Sequence, residues 1–288
     1  MIDALLQATV NGLIAGTILA VPAIGFSAIF AVLNYPNFAI GALAAVGAYA
    51  GWLANARFGW PLEASLVAAF AGAAAAGLAA ERLAMRPLEP AGALMMAIAS
   101  LAAGLVLENL IRLAFGNDPR GYALPLARDL VVGGLRVGPQ QLRNLGIALA
   151  IMAAVWAFLR WTRTGRAMRA VADNRDLARL RGIDPERVAM TTVAVGAGLA
   201  GFGGLLVGVD TAAEPVMGQR LVLSIFAAAV LGGLGSIPGA VAGALAIGIV
   251  EEWSVLLLNP AYRTAIAFAV ILAVLTVRPA GLFGTRAD

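Results

Sequence analysis

The 288-residue sequence contains no cysteine, no histidine and no lysine, so all 20 of its basic residues are arginine. The absence of lysine excludes a Walker A loop, whose lysine contacts nucleotide phosphates, and a Schiff base to retinal or pyridoxal. The absence of cysteine and histidine excludes thiolate nucleophiles, disulfides and the ordinary ligands of zinc and haem. We therefore predict no enzyme activity, no cofactor and no metal, and any ATPase that powers this protein must be another chain.

Charged residues are also scarce, at 12%, whereas hydrophobic residues make up 61% of the chain. Soluble domains carry about 25% charged residues, and a membrane-spanning helix needs about 20 mostly apolar residues. The sequence therefore predicts an all-α, polytopic transmembrane helix bundle. Nine spans are predicted, with eight or ten as alternatives: roughly 6–31, 37–54, 62–82, 93–115, 142–160, 189–209, 221–235, 239–258 and 262–277. The first ten residues lack the basic region of a secretory signal, so the first span is predicted to be retained.

The positive charge is concentrated in residues 160–187, "RWTRTGRAMRAVADNRDLARLRGIDPER", where eight arginines and four acids give +4, the net charge of the whole chain. Because arginine-rich short loops stay in the cytoplasm, we predict that 161–188, 81–92 and the tail with Arg278 and Arg286 are cytoplasmic. The N-terminus, 55–61 and 116–141 are then external. Two short β-like runs around Gly133-Gly134 predict a hairpin in the external loop. Residues 1–288 are predicted to be a single transmembrane domain with these two long loops.

Capping signals predict that the arginine-rich loop is folded rather than extended. We expect two short amphipathic helices whose N-caps are Thr164 and Asn174, followed by a left-handed stop at Gly182 and a new helix capped by Asp184. Their apolar sides are predicted to hold Ala167, Met168, Val171, Ala172, Leu177 and Leu180. Two interpretations stay open: an anchor on anionic lipid, or a docking element for a cytoplasmic protein. Only docking explains the caps and the interspersed acids as well as the charge.

Polar groups within the spans are candidates for a solute path. The uncharged ones are Asn11, Asn37, Ser100, Asn109, Thr191 and Thr192, and each can bond a solute or a neighbouring helix. The segment "GGLGSIPG" at 232–239 is hard to keep helical, and a broken helix can line a transport path; its candidates are Gly232, Gly233, Gly235 and Ser236. Elsewhere, spaced glycines are expected to pack helices: Gly12/Gly16, Gly47/Gly51, Gly204/Gly208 and Gly235/Gly239/Gly243. Acids near the outer helix ends are expected to be paired, notably Glu108 with Arg112.

The string "TGRAMRAVADNRDLARLRGID" resembles the cytoplasmic coupling loop of the integral-membrane permeases of branched-chain amino acid ABC importers, the LivH type. The family pattern, close to "GRA-x-RA…A…GI", is matched by Gly165, Arg166, Ala167, Arg169, Ala170, Ala178, Gly182 and Ile183. The segment 227–251, "AAAVLGGLGSIPGAVAGALAIGIVE", is similar to the family's best-known segment. "ERLAMRPL", the "NFA-x-G…GAY" frame from Asn37 to Tyr49 and Asn11-Gly12 extend the resemblance from end to end.

This resemblance implies a transport mechanism for a bacterial inner-membrane protein. A periplasmic binding protein would deliver the solute, two permease subunits (this chain with a paralogue, or two copies) would form the path, and two ATPase subunits would push the coupling loops. The residues implied in ATPase coupling are Gly165, Arg166, Arg169, Ala170, Ala178 and Gly182. No nucleic acid is expected as a partner. The family commonly has His and Glu where this chain has Ile40 and Ala42, and Gln-Asn where it has Glu108-Asn109, so the solute is left open among amino acids and related small polar compounds.

Three alternatives remain at this point. An ion-coupled secondary transporter would work as one chain and would need intramembrane acids, which this chain largely lacks. A non-transporting assembly subunit would have no path between its spans. A channel is disfavoured because nothing in the sequence resembles a ring of charges or a filter.

Overall fold

The computed structural model describes residues 2–124, 130–132, 135–257, 263–278 and 281–283. Its helices are α1 (Ile2–Leu33), α2 (Ile40–Trp52), α3 (Leu62–Ala80), α4 (Ala93–Phe115), α5 (Pro139–Trp161), α6 (Arg163–Asp173), α7 (Arg175–Leu180), α8 (Pro185–Thr211), α9 (Met217–Gly232), α10 (Ile237–Leu257) and α11 (Arg263–Val277). Short π-helical turns, Leu53–Arg57 and Glu81–Met85, extend α2 and α3, and the 3-10 helix Arg86–Ala91 leads into α4.

The fold is an all-α bundle, as the composition predicts. An apolar helix occupies each of the nine predicted spans, and α1, α3, α4, α5, α8 and α10 are long and apolar enough to cross a membrane. The other three, α2, α9 and α11, have 13, 16 and 15 residues. Strands β1 (Leu130–Val132) and β2 (Leu135–Val137) pair in antiparallel register, which confirms the predicted hairpin. Its turn residues, like Arg286, lie outside the described residues.

Glycines let the central helices approach backbone to backbone. A Cβ atom on Gly12 would lie 2.7 Å from the Cα of Ile249 on α10, and one on Gly16 would lie 2.7 Å from the carbonyl oxygen of Ala244. A Cβ on Gly201 of α8 would lie 2.5 Å from the carbonyl oxygen of Ala69 on α3. Such close approach lets helices associate in lipid, where burial of apolar surface gives little driving force. The spaced glycines thus pack α1 against α10 and α8 against its neighbours.

The loops sort to two ends of the bundle as the charge pattern predicts. At one end, the Arg86 guanidinium donates to Glu186 at 2.5 Å, and that of Arg175 donates to Glu89 at 3.2 Å, so the 81–91 segment meets the arginine-rich loop. At the other end, the Asn55 carbonyl accepts from the backbone N–H of Ala123 at 2.8 Å. The first helix joins this second group, because the Gln7 side chain bonds the backbone of β2.

Candidate coupling surface and solute path

The arginine-rich loop folds into α6 and α7, which are defined by their caps. Thr162, not the predicted Thr164, is the N-cap of α6, and its hydroxyl accepts from the N–H of Gly165 at 3.0 Å. The two threonines are close in sequence, but Thr162 has the extended backbone (φ −83°, ψ 156°) that an N-cap requires. The caps predicted at Asn174 and Asp184 are confirmed, since each carboxyl or amide oxygen accepts from the first turn of the next helix.

One face of this element is buried against the transmembrane helices. Met168, Val171 and Ala178 are almost fully buried and cluster with Val188 at the start of α8. Residues of α1 and α5, including Val32, pack on the same cluster. Ala170 lies partly buried on the same side, whereas Ala172, predicted on the apolar side, is exposed. The loop is therefore seated firmly on the bundle.

The exposed part of this element carries both cations and uncovered apolar side chains. Leu177 and Leu180, predicted on the apolar side of α7, are 54% and 84% exposed, so that side is turned outward. The exposed arginines of α6, α7 and the turn that follows are Arg163, Arg166, Arg169, Arg175, Arg179 and Arg181. We call this face, the two leucines with these arginines, the coupling surface. Exposed apolar side chains together with exposed charged ones are typical of protein–protein interfaces.

Two glycines of the coupling loop have distinct backbone roles. A Cβ on Gly165 would lie 2.5 Å from both the Cα of Leu159 and the carbonyl oxygen of Phe158, so glycine is required where α6 folds back on α5. Gly182 has φ +80° with open space around it, so it supplies the left-handed stop that was predicted. Six residues were predicted to act in coupling. Four of them shape the surface: Gly165, Gly182, Ala170 and Ala178. The other two, Arg166 and Arg169, are exposed on it.

A cleft of about 330 Å³ separates the coupling loop from the 81–91 segment. It is lined by both ion pairs that join these segments and by Glu81. Glu81, where the predicted span 62–82 and the predicted loop 81–92 overlap, is nearly fully buried and accepts from the Tyr35 hydroxyl at 2.7 Å. Burial, and then the nearby Glu81 carboxylate, raise the pKa of Tyr35, so its hydroxyl stays protonated and donates this bond.

The polar path candidates Asn37 and Ser100 are brought together by the structure. Both are buried, and the Ser100 hydroxyl accepts from the N–H of Phe38 at 2.9 Å. The Asn37 carbonyl accepts from the N–H of Ala39 at 3.0 Å, while its amide nitrogen has no partner in the described part of the chain. These bonds fix the start of α2 against α4, next to the contact of Phe38 with Phe226.

Asn11 lies apart from that pair, on the outer side. It accepts from the Gln7 amide at 3.0 Å and lines a polar cleft of about 750 Å³ with Arg136 and Asp210. Thr191 and Thr192 each donate to the carbonyl one turn before them in α8. Both threonines therefore bond within their own helix.

The segment 232–239 is a tight turn between α9 and α10. Gly233 and Gly235 have φ of +102° and +83°, and the Ser236 hydroxyl accepts from the N–H of Gly239 at 3.1 Å as α10 begins. Gly232 lies in backbone contact with Gly239. Backbone N–H groups of residues 282 and 283 donate to the end of α9, so the carboxyl-terminal segment also covers this turn.

A charged cluster joins α4 to the start of α9. The predicted pair is confirmed: the Arg112 guanidinium donates to Glu108, whose carboxylate also accepts from the Gln219 amide at 2.8 Å. Only 4% of the Glu108 side chain is exposed, against 35% of the Arg112 side chain. Asn109 is turned outward, and its amide donates to the Leu105 carbonyl at 2.8 Å. The sequence analysis identified Glu108, Asn109 and Arg112 as candidates but missed Gln219. The only signal for Gln219 was its position as a polar residue near the start of a helix, which is weak.

Comparison with known proteins shows which family this chain belongs to. The family model described as "Branched-chain amino acid transport system / permease component" matches residues 8–275. The high-affinity branched-chain amino acid transport system permease protein LivH of Escherichia coli K12 is 34% identical, over 97% of this chain and 95% of that protein. BraD of Pseudomonas aeruginosa, also named a permease of such a system, is 30% identical over the same shares. Among solved structures, PsaBC from Streptococcus pneumoniae in complex with Fab matches with a TM-score of 0.46 and 14% identity, over 96% of this chain and 91% of that one.

Proposed function

This chain belongs to the branched-chain amino acid transport permease family, and we propose that it imports branched-chain amino acids or a related small polar solute as part of an ABC transporter. The chain is the integral-membrane permease subunit. It alternates between outward-facing and inward-facing states, driven by ATPase subunits on separate chains, since its own sequence has no lysine for a nucleotide-binding loop. The membrane is the bacterial inner membrane.

The coupling surface is the observation that carries this proposal. A loop that only anchored the chain on lipid would need neither two capped helices nor a glycine fitted between α5 and α6. Arg166 and Arg169 stand on the exposed side of a helix whose other side is buried in the bundle. Such an element presents a fixed shape to a protein partner, and its cations suit acidic or polar residues of an ATPase groove.

The complete assembly contains two ATPase subunits, a second permease subunit and a periplasmic binding protein. The second permease is a paralogue in our proposal, with a second copy of this chain as the alternative.

Of the residues predicted to line the path, Asn109 lies on an outward face where a second subunit can meet it. Asn11 lines the outer cleft. Asn37 and Ser100, which lie apart from it, hold the start of α2 against α4. The turn at Gly232, Gly233, Gly235 and Ser236 shapes the cytoplasmic end of α9.

The first experiment is purification of the tagged chain from its native membrane in mild detergent, with mass spectrometry of the proteins that accompany it. We expect an ATPase and a permease partner in near-equal amounts. A chain that emerges alone, yet drives uptake in vesicles with an ion gradient, would show instead that it is an ion-coupled transporter.

The second experiment reverses charge on the coupling surface. The double variant Arg166→Glu/Arg169→Glu should insert normally but lose the ATPase on purification and lose solute-stimulated ATP hydrolysis, because two cations become two anions facing the same partner. The matched control is Arg57→Glu, an exposed arginine at the opposite end of the bundle, which should keep both activities. Unchanged ATP hydrolysis in the double variant would contradict the docking role.

A further inference from the structure

Polar groups lie exposed on the side of the bundle where α4 meets α9. We call this set the outer α4–α9 patch: Asn109, Arg112, Gln219 and Arg220. Asn109 and Gln219 are exposed, and 73% of the Arg220 side chain is exposed. The surrounding surface of α4 is apolar, since Leu105, Val106 and Leu110 are each more than half exposed. The patch is therefore a polar island on a face that would otherwise suit lipid.

Hydrocarbon is a poor environment for these groups. Asn109 lies six residues before the end of α4, about 9 Å along the helix axis. Its side chain is too short to reach the headgroup region, and its carbonyl oxygen accepts no hydrogen bond from the described part of the chain. Polar groups of this kind within membrane spans face water-filled cavities or other helices rather than lipid. The patch therefore faces water or a subunit.

The groups that remain available on this patch are hydrogen-bond donors. Glu108 is buried beneath it and already accepts from Arg112 and Gln219. The Arg112 side chain is 35% exposed and one of its terminal nitrogens donates to Glu108, while its Nε is buried without a partner in the described part of the chain. Arg220, 73% exposed, uses only part of its guanidinium on Glu214, at 3.3 Å. Each guanidinium has five N–H donors, and each amide has two. Cationic and amide donors together recognise an oxyanion.

We propose that the outer α4–α9 patch lines the solute path and binds the carboxylate of the transported solute. This inference rests on the proposed function. In the proposed transporter the solute path lies between two permease subunits, and the second subunit faces α4 across that path. A lipid phosphate is also an oxyanion, but phosphates lie at the membrane surface, whereas Asn109 lies well inside the end of its helix. A carboxylate carried along the solute path would pass the patch at the depth of Asn109, below the membrane surface.

The absence of cysteine from the whole sequence allows a test without background labelling. In the assembled transporter in vesicles, Asn109→Cys should react from outside with a membrane-impermeant thiosulfonate that carries a sulfonate group. The matched control is Leu149→Cys on α5, whose native side chain is 51% exposed on a mostly exposed apolar helix. We expect its reaction to be at least about tenfold slower, because a thiol in hydrocarbon neither ionises nor meets the reagent. Leu105→Cys, one turn away, serves if Asn109→Cys does not assemble.

The charge of the patch is tested by comparing anionic and cationic thiosulfonates of similar size. Adding Arg220→Gln to Asn109→Cys should lower the anionic-to-cationic rate ratio several-fold, whereas adding Arg57→Gln should leave it unchanged. An unreactive Asn109→Cys in a transporter that still imports solute would overturn this inference alone, as would an unchanged rate ratio. Reaction blocked by phosphatidylglycerol but not by phosphatidylcholine would assign the patch to a lipid headgroup and overturn it too. If instead the wild-type chain purified without an ATPase, the proposed function itself would be refuted.

Discussion

A single methyl group added at Gly165 should weaken docking of the ATPase while the transmembrane helices stay folded. The added Cβ would lie 2.5 Å from the Cα of Leu159 and from the carbonyl oxygen of Phe158, where ordinary contact begins near 3.4 Å. The start of α6 would then have to move by about 1 Å, the order of that difference, because backbone atoms cannot rotate away. Overpacking of this kind costs about 1–3 kcal/mol.

Because α6 presents the arginines of the coupling surface, we expect Gly165→Ala to displace that surface while the transmembrane helices stay folded. If the whole penalty falls on docking, about 1–3 kcal/mol corresponds to a five- to 150-fold weaker affinity for the ATPase. The assay is titration of purified ATPase against the permease in nanodiscs, with solute-stimulated ATP hydrolysis as the second readout.

Two other glycines control for the effect of a methyl group itself. Gly182→Ala meets open space but must keep φ near +80°, so we expect a cost of about 1–2 kcal/mol without displacement of α6. Gly146→Ala lies inside α5 with open space around it and should be neutral or stabilising by about 0.5–1 kcal/mol. Equal ATPase affinity in Gly165→Ala and Gly146→Ala would refute the reasoning.

Three further predictions concern packing, burial and exposed charge. Gly12→Ala should lower the thermal stability of the purified chain by about 1–3 kcal/mol, because its Cβ would lie 2.7 Å from an α10 backbone atom; a midpoint equal to wild type would contradict this. Tyr35→Phe should cost about 1–3 kcal/mol in the same assay by leaving the Glu81 carboxylate buried without its donor, and adding Glu81→Gln should recover part of the loss. Arg86→Glu should change uptake little, since its pair with Glu186 is half exposed and contributes at most about 1 kcal/mol; a large loss that the charge swap with Glu186→Arg restored would show a role beyond stability.

Local signals in the sequence were sufficient for the helices and for most caps. Apolar runs of the required length identified the positions of the spans, and the stop at Gly182 followed from the need for positive φ after a short helix. The choice between Thr162 and Thr164 as N-cap could not be made in this way, because both lie near the start of α6. Backbone conformation at the junction with α5 decides it, and that depends on how Gly165 fits against Leu159.

Contacts between distant segments were beyond sequence reasoning. Glu81 belongs to an arginine-containing segment that reads as a loop, yet π-helical and 3-10 turns carry α3 onward and bury it beside Tyr35, 46 residues away. The periodicity of α7 placed Leu177 and Leu180 on one side but could not show whether the bundle covers that side. Burial of Ala178 instead turns the leucines outward, and this orientation makes them candidates for docking.

The seating of the coupling loop explains how movement at its surface can reach the membrane. After Gly182 the chain turns once and enters α8 directly at Asp184, with no extended linker between them. Met168 of α6 and Val188 in the first turns of α8 belong to one buried cluster. Further along, α8 meets α2 and α3 through glycine at backbone contact, where few flexible side chains can absorb a displacement. In the proposed transporter, a push by the ATPase on the coupling surface would therefore move α8 together with the helices packed on it.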